Sequence, residues 1–173
     1  IEKERKEGMP ESLIKQEYFC DFSAANEGSY YGQEIQKMRE DGRISDFPID
    51  DAIPVSTTFD LGISDATAIV FYQKIGDWVY VIDYYESNGQ SLKDYAQVLR
   101  EKGYMYDKHH LPHDAKQRDL STGISRLEFF REMGITNVET IPVKPITYGI
   151  ECVHRLFPKC KIHSTKCQKL IKC

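Results

Sequence analysis

The hydrophobic pattern of the chain sharpens at Val55. Three short runs rich in β-branched and aromatic residues, 55–61, 67–72 and 78–84, are separated by the turn sequences Gly62-Ile63-Ser64-Asp65 and Gly76-Asp77. Such runs read as three strands of an antiparallel meander. The period then changes. Leu92, Tyr95, Ala96 and Leu99 recur at helical spacing behind Ser91, a natural N-cap, and ahead of Gly103, which predicts a helix. A fourth strand closes His109-His110-Leu111-Pro112-His113-Asp114. Ser125-x-x-Glu128 is a capping box that opens a helix through Phe130 to Gly134. Residues 137–141 read as a short strand. Ile146, Ile150, Val153 and Phe157 mark a third helix stopped by Pro158, with a last strand at 161–163 and a helix from Ser164.

Before Val55 the pattern is weak. Residues 18–22 form a strand candidate, 30–39 a helix candidate, and 46–54, rich in proline and aspartate, a connector. The expected division is a lead-in over 1–50 and one domain over 51–173. The order βββ-α-β-α-β-α predicts an α/β fold: a mixed sheet made of an antiparallel three-strand meander plus parallel βα units, with helices on its faces. In that topology the strand ending at Asp114 lies parallel to the strand ending at Asp60. Their carboxylates then meet at common C-terminal ends, where oxygen ligands can hold hard cations as phosphodiester-cutting enzymes require. The bland alternative is a turn cap, most natural for Asp60 beside Gly62.

Composition narrows the classes. The chain has 173 residues, 40% hydrophobic, 29% charged and 12% aromatic, enough for one domain with a sizeable core. No apolar run approaches the roughly 20 residues of a membrane span, and no basic-then-apolar leader opens the chain. The net charge of −4 is unevenly spread, because residues 142–173 carry 7 basic side chains and 1 acidic. A basic tail on an acidic body fits either a phosphate-facing surface or a solvated helix face. Five cysteines, an odd number with four in the last 22 residues, favour a reduced cytoplasmic protein over a disulfide scaffold. The start at Ile1 and the stop at Cys173 inside a helical pattern suggest a piece of something longer.

Further polar groups surround the two aspartates in sequence. Asp65 reads equally as a supplementary acid or as turn chemistry. Glu86 reads as a solvated sheet-edge acid. His109 and His113 would share one strand face and His110 the other, with His113 lining a groove. The tail Cys152, His154, Cys160, His163, Cys167 and Cys173 lacks a tight C-x2-C knuckle and gives a weak zinc pattern. Lys116, Arg118, Thr122, Gly123, Ser125 and Arg126 lead into a helix N-terminus, a phosphate seat or ordinary loop polarity.

Four segments taken in order carry a resemblance. They are Thr58-Phe59-Asp60-Leu61-Gly62-x-x-Asp65-x-Thr67-Ala68-Ile69; Ile82-Asp83-Tyr84-Tyr85-Glu86; Leu111-Pro112-His113-Asp114-Ala115; and Gly123-x-Ser125-Arg126. Together they resemble the C-terminal nuclease domain of the large terminase subunit of tailed bacteriophages, from about Glu17 to the end. The resemblance implies a ribonuclease-H-like fold and a metal-dependent endonuclease that cuts concatemeric double-stranded DNA during packaging. It implies Asp60 and Asp114 as the first two of three acids holding two magnesium or manganese ions; beside them, the phosphate-seat reading makes Lys116, Arg118, Ser125 and Arg126 the candidate contacts to DNA. It implies an ATPase motor domain, a small terminase subunit and a portal as partners, in the cytoplasm of a bacterial host. The chain departs from the family in two ways: no acidic residue follows Glu151 to serve as third ligand, and no G-x-x-x-x-G-K-[ST] is present. Weak or absent cutting is therefore expected. The rivals are a junction resolvase of the same fold and a non-catalytic DNA-binding or assembly module, such as a prophage remnant.

Overall fold

In the computed structural model, which describes residues 30–62 and 66–172, the chain alternates strands and helices. The elements are α1 (Gly32–Glu40), β1 (Ile44–Ser45), β2 (Val55–Asp60), β3 (Thr67–Ile75), β4 (Trp78–Ser87), α2 (Leu92–Lys102), β5 (Tyr106–Leu111), α3 (Arg126–Glu132), β6 (Val138–Thr140), α4 (Ile146–Leu156), β7 (Cys160–His163) and α5 (Gln168–Lys172). The strand expected at 18–22 lies outside the described residues.

Seven strands form one sheet in the order β1-β7-β4-β3-β2-β5-β6. β3 runs antiparallel to β2 and β4, and every other neighbouring pair is parallel. The meander and the parallel β2–β5 pair are those the pattern predicts, and the five strands β4-β3-β2-β5-β6 make a ribonuclease-H-like sheet. β1 and β7 extend it at the β4 edge.

Side-chain alternation divides the sheet into two faces. Val55, Thr57 and Phe59 of β2 are buried on one face, under α2 and α3. Ser91 and Asp94 form a reciprocal capping box that starts α2, and Gly103 at φ 66° ends it. α2 then lays Tyr95, Ala96 and Leu99 onto the sheet. Ser125 and Glu128 start α3 in the same way, and Phe130 of α3 meets Phe59 edge-on at 5.5 Å. Burying side chains of this size contributes about 1.5–3 kcal/mol each. The opposite face carries a smaller core of Met38, Val81, Cys160, Ile162 and Cys167, packed with Val70 and Tyr84.

Asp83 and His109 are among the polar residues buried with these apolar ones. The Asp83 carboxylate accepts from the Tyr84 amide at 2.8 Å, Lys102 Nζ at 2.5 Å and the Tyr104 hydroxyl at 2.9 Å. His109 Nδ1 lies 2.8 Å from Thr57 Oγ1 across the β2–β5 pair, and burial lowers its pKa to about 4. It is therefore a neutral core histidine.

Several expectations need correction. β1 emerges inside the weakly patterned lead-in, where Ile44 and Ser45 pair with Ile162 and His163, and Met38 of α1 is fully buried. Residues 164–167 form turns and α5 starts at Gln168, because Asp46 accepts from the Ser164 hydroxyl, the Thr165 amide and the Thr165 hydroxyl. α4 has the expected apolar spacing yet buries no residue, and Ile146 is 82% exposed. Its C-terminal end alone is anchored, by His154 on Glu34 of α1 at 2.6 Å and on the Tyr31 ring. β5 stops at Leu111, because Pro112 has no amide to donate to the ladder. His113 and Asp114 therefore fall in a 3₁₀ turn, and the expected shared face of His109 and His113 does not form.

Candidate functional site

Alternation that buries Phe59 sends Asp60, the last residue of β2, to the opposite face, where it is exposed. Its carboxylate has no hydrogen-bond or ionic partner among the described residues. β5 lies beside β2 in parallel, with Thr58 opposite His110. Continuing that register sets Asp60 level with Pro112, on strands about 4.8 Å apart. Asp114 follows two residues later in the turn His113–Lys116, and buried Ala115 pins that turn to the core. Both aspartates thus stand at the C-terminal ends of adjacent parallel strands. The two aspartates that the sequence singles out stand along one edge of the sheet, Asp60 at the last position of β2 and Asp114 three residues beyond the end of β5.

Asp114 is not free. Arg126, the first residue of α3, donates from Nη1 to its Oδ2 at 2.8 Å. The two side chains are 26% and 36% exposed, so the ion pair is open to water. This contact is not visible in sequence, because it spans the loop 117–125. That loop closes on itself: Arg118 bridges to Ser125, and the Asp119 carboxylate accepts from the Ser121 and Thr122 amides. The Ser121 hydroxyl, which also donates to that carboxylate, and then these amides hold the Asp119 carboxyl below its usual range.

The expected phosphate seat at the start of α3 is occupied by the protein itself. Ser125 is buried, its hydroxyl accepts from the Glu128 amide and donates to the Glu128 carboxylate, and its own amide donates there too. Ser125 is therefore a cap and has no donor left for DNA. Arg118 pairs loosely with Glu128 at 3.4 Å. Lys116 is exposed and has no partner among the described residues.

Two further acids are candidates for a third ligand. Asp65 lies outside the described residues. Glu86 stands level with Asp60 across the sheet, since Asp60 pairs with Ala68 and Ala68 with Glu86. It sits two strand spacings away, about 10 Å. Its carboxylate accepts from the Tyr84 hydroxyl and pairs with Lys169 of α5, which lower its pKa. His110 shares the Asp60 face and pairs with Glu139.

The donor set bears on which cation fits. Two carboxylates supply oxygens suited to magnesium or manganese rather than to zinc. The set is partial, because among the described residues no cluster of three or more His, Cys, Asp or Glu is placed to hold a metal. Among the described residues the tail zinc pattern does not assemble: Cys152 is exposed, while Cys160 and Cys167 are buried free thiols with pKa values pushed up by burial to about 11 and 12.

No protein-family model matches the chain, and no curated protein matches it significantly. Solved structures do. The chain is similar to the large terminase from a thermophilic bacteriophage, at 14% identity and a TM-score of 0.59, over 80% of this chain and 36% of that one. It is similar to the g2p (large terminase) nuclease domain from bacteriophage SPP1 with bound Mn, at 19% identity and a TM-score of 0.56, over 75% of this chain and 74% of that one. It is also similar to the P22 large terminase nuclease domain, at 15% identity and a TM-score of 0.54, over 72% and 69%. At these identities the likeness establishes the fold. The match spans 36% of the thermophilic phage's large terminase.

Proposed function

We propose that this chain is the nuclease part of a DNA-packaging large terminase, a divalent-metal-dependent endonuclease acting on concatemeric double-stranded DNA. The observation that carries the reading is the placement of Asp60 and Asp114 at the ends of adjacent parallel strands, in a fold shared with terminase nuclease domains. Asp60 and Asp114 bind magnesium or manganese through carboxylate oxygens. Ions held there supply activation of water and charge stabilisation for in-line attack on a phosphodiester. Lys116, Arg118 and Arg126 line the same edge and contact backbone phosphate, without reading bases. Asp65 completes the acid set or shapes the turn. The part of residues 1–50 that precedes α1 leads in from an ATPase motor domain, and the small terminase subunit and portal are partners in the host cytoplasm.

The test is relaxation of supercoiled plasmid in manganese. Asp60→Asn and Asp114→Asn should each lower the rate by at least about 100-fold, several kcal/mol of transition-state stabilisation. Cutting at the parental rate by either variant sinks the assignment. One observation favours a second reading, a non-catalytic DNA-binding module: a third acid is missing from the cluster among the described residues. Metal-independent DNA binding without any cutting by the parent would select it.

A further inference from the structure

Arg126 has two competing uses in this site. It is a cation proposed above to contact phosphate, yet its guanidinium rests on Asp114. We infer that Arg126 is a built-in counter-ion of the metal centre: it holds Asp114 while the cation is absent and is handed to backbone phosphate when a divalent cation takes that carboxylate. This rests on the metal reading of Asp114 proposed above.

The geometry is suited to such an exchange. Arg126 opens α3, whose first turn is fixed by the Ser125–Glu128 box and whose body is pinned by buried Phe130. The backbone that carries the guanidinium is thus rigid, while the head group lies in water-accessible space. The contact uses one N–H on one carboxylate oxygen. A guanidinium has five donors in a planar fork, so others remain to engage a phosphate as the head group swings. A cation binding the same carboxylate would meet the positive guanidinium within a few ångströms, and like charges that close repel. The cation and the guanidinium therefore compete for Asp114. Linkage then makes the effect reciprocal: metal that displaces Arg126 favours phosphate, and phosphate that captures Arg126 favours metal. Lys116, two residues from Asp114 and without a partner among the described residues, provides a charge-matched control.

The experiment measures manganese affinity without DNA, from the paramagnetic resonance of free ion, for the parent chain, Arg126→Gln and Lys116→Gln. The expected result is about three- to fivefold tighter binding by Arg126→Gln, the upper end of what a partly exposed ion pair contributes. Lys116→Gln should change it by less than about 1.5-fold, because an exposed charge not in contact is screened. Unchanged or weaker binding by Arg126→Gln overturns the inference, as does an equal gain in Lys116→Gln, which would mean a general field effect. Absence of manganese binding in all three overturns the metal reading itself. The second arm is DNA affinity without metal, by fluorescence anisotropy. Asp114→Asn should bind DNA more tightly than the parent, and adding Arg126→Gln should remove that gain. A gain that persists in the double variant overturns the phosphate half of the exchange.

Discussion

Replacing Lys102 with methionine isolates one buried charge. Asp83 is 4% exposed and its carboxylate accepts three bonds, from the Tyr84 amide, Lys102 and the Tyr104 hydroxyl. Methionine keeps a stem of similar length against the Phe71 ring, over which the ammonium now sits at 5.6 Å. The substitution therefore removes charge and little packing. Stripping one partner from a fully buried pair costs about 3–5 kcal/mol. Two donors stay on Asp83, and the Lys102 side chain is 29% exposed, so water reaches the vacated position. The loss should fall to about 2–3 kcal/mol. For a chain of this size that lowers Tm by about 4–12 °C. The control is Asp83→Asn, which keeps an acceptor for Tyr104 but carries no charge. In that background Lys102→Met should cost less than about 1 kcal/mol, giving a large coupling energy. Differential scanning calorimetry on the four variants measures it. A single variant melting within about 1 °C of the parent, or simple additivity across the cycle, would refute the reasoning.

Other outcomes follow from buried titratable groups. His109 has a folded pKa lowered to about 4 by burial, below its unfolded value of 6.5. The unfolded chain thus binds a proton that the folded chain excludes, so stability is complete above pH 6.5 and falls as pH drops, by about 2 kcal/mol between pH 7 and 5. Urea midpoints should show this slope in the parent and lose most of it in His109→Gln; a parent curve flat over that range contradicts it. The raised pKa values of Cys160 and Cys167 keep them as thiols at pH 8, so iodoacetamide should modify Cys152 in the native chain and reach the other two only in urea. Peptide mass mapping that finds Cys167 modified before Cys152 would contradict the packing.

The parts of the fold that were legible in sequence are those specified locally. Gly76-Asp77 separates two β-rich runs, and the boxes Ser91–Asp94 and Ser125–Glu128 start helices within four residues of chain. β1 was not legible, because two residues carry no period and its partner lies more than a hundred positions away at Ile162. α4 was legible from its apolar repeat, while the exposure of Ile146 was not, because periodicity says nothing about whether a surface exists to receive it. At the site, Asp60 and Asp114 could be paired in advance because parallel register carries strand tips to one edge. The partners of the charges could not. Arg126 reads as part of a phosphate-binding group, yet it rests on Asp114, while its neighbour Ser125, read both as a cap and as a phosphate contact, closes the helix cap. Choosing between those uses needs the path of the intervening loop.

The position of β7 has a consequence for how the chain is made. β7 is inserted between β4 and β1, although it is the last strand of the described sequence and β1 the first. On a ribosome, β1 emerges early and has no neighbour to join until residues 160–163 have been synthesised. Until then the outer edge of β4 is unpaired and apolar Val81 faces water, the kind of open strand that invites pairing with another chain. Closing the gap couples the two ends of the described chain, with the long loop-closure delay that such distant pairings bring. The five-strand part that carries Asp60 and Asp114 can form first. A released chain that ends before Cys160 should therefore present a folded edge carrying Asp60 and Asp114 beside a sticky, unfinished one, and holding it apart from its neighbours becomes a task for chaperones.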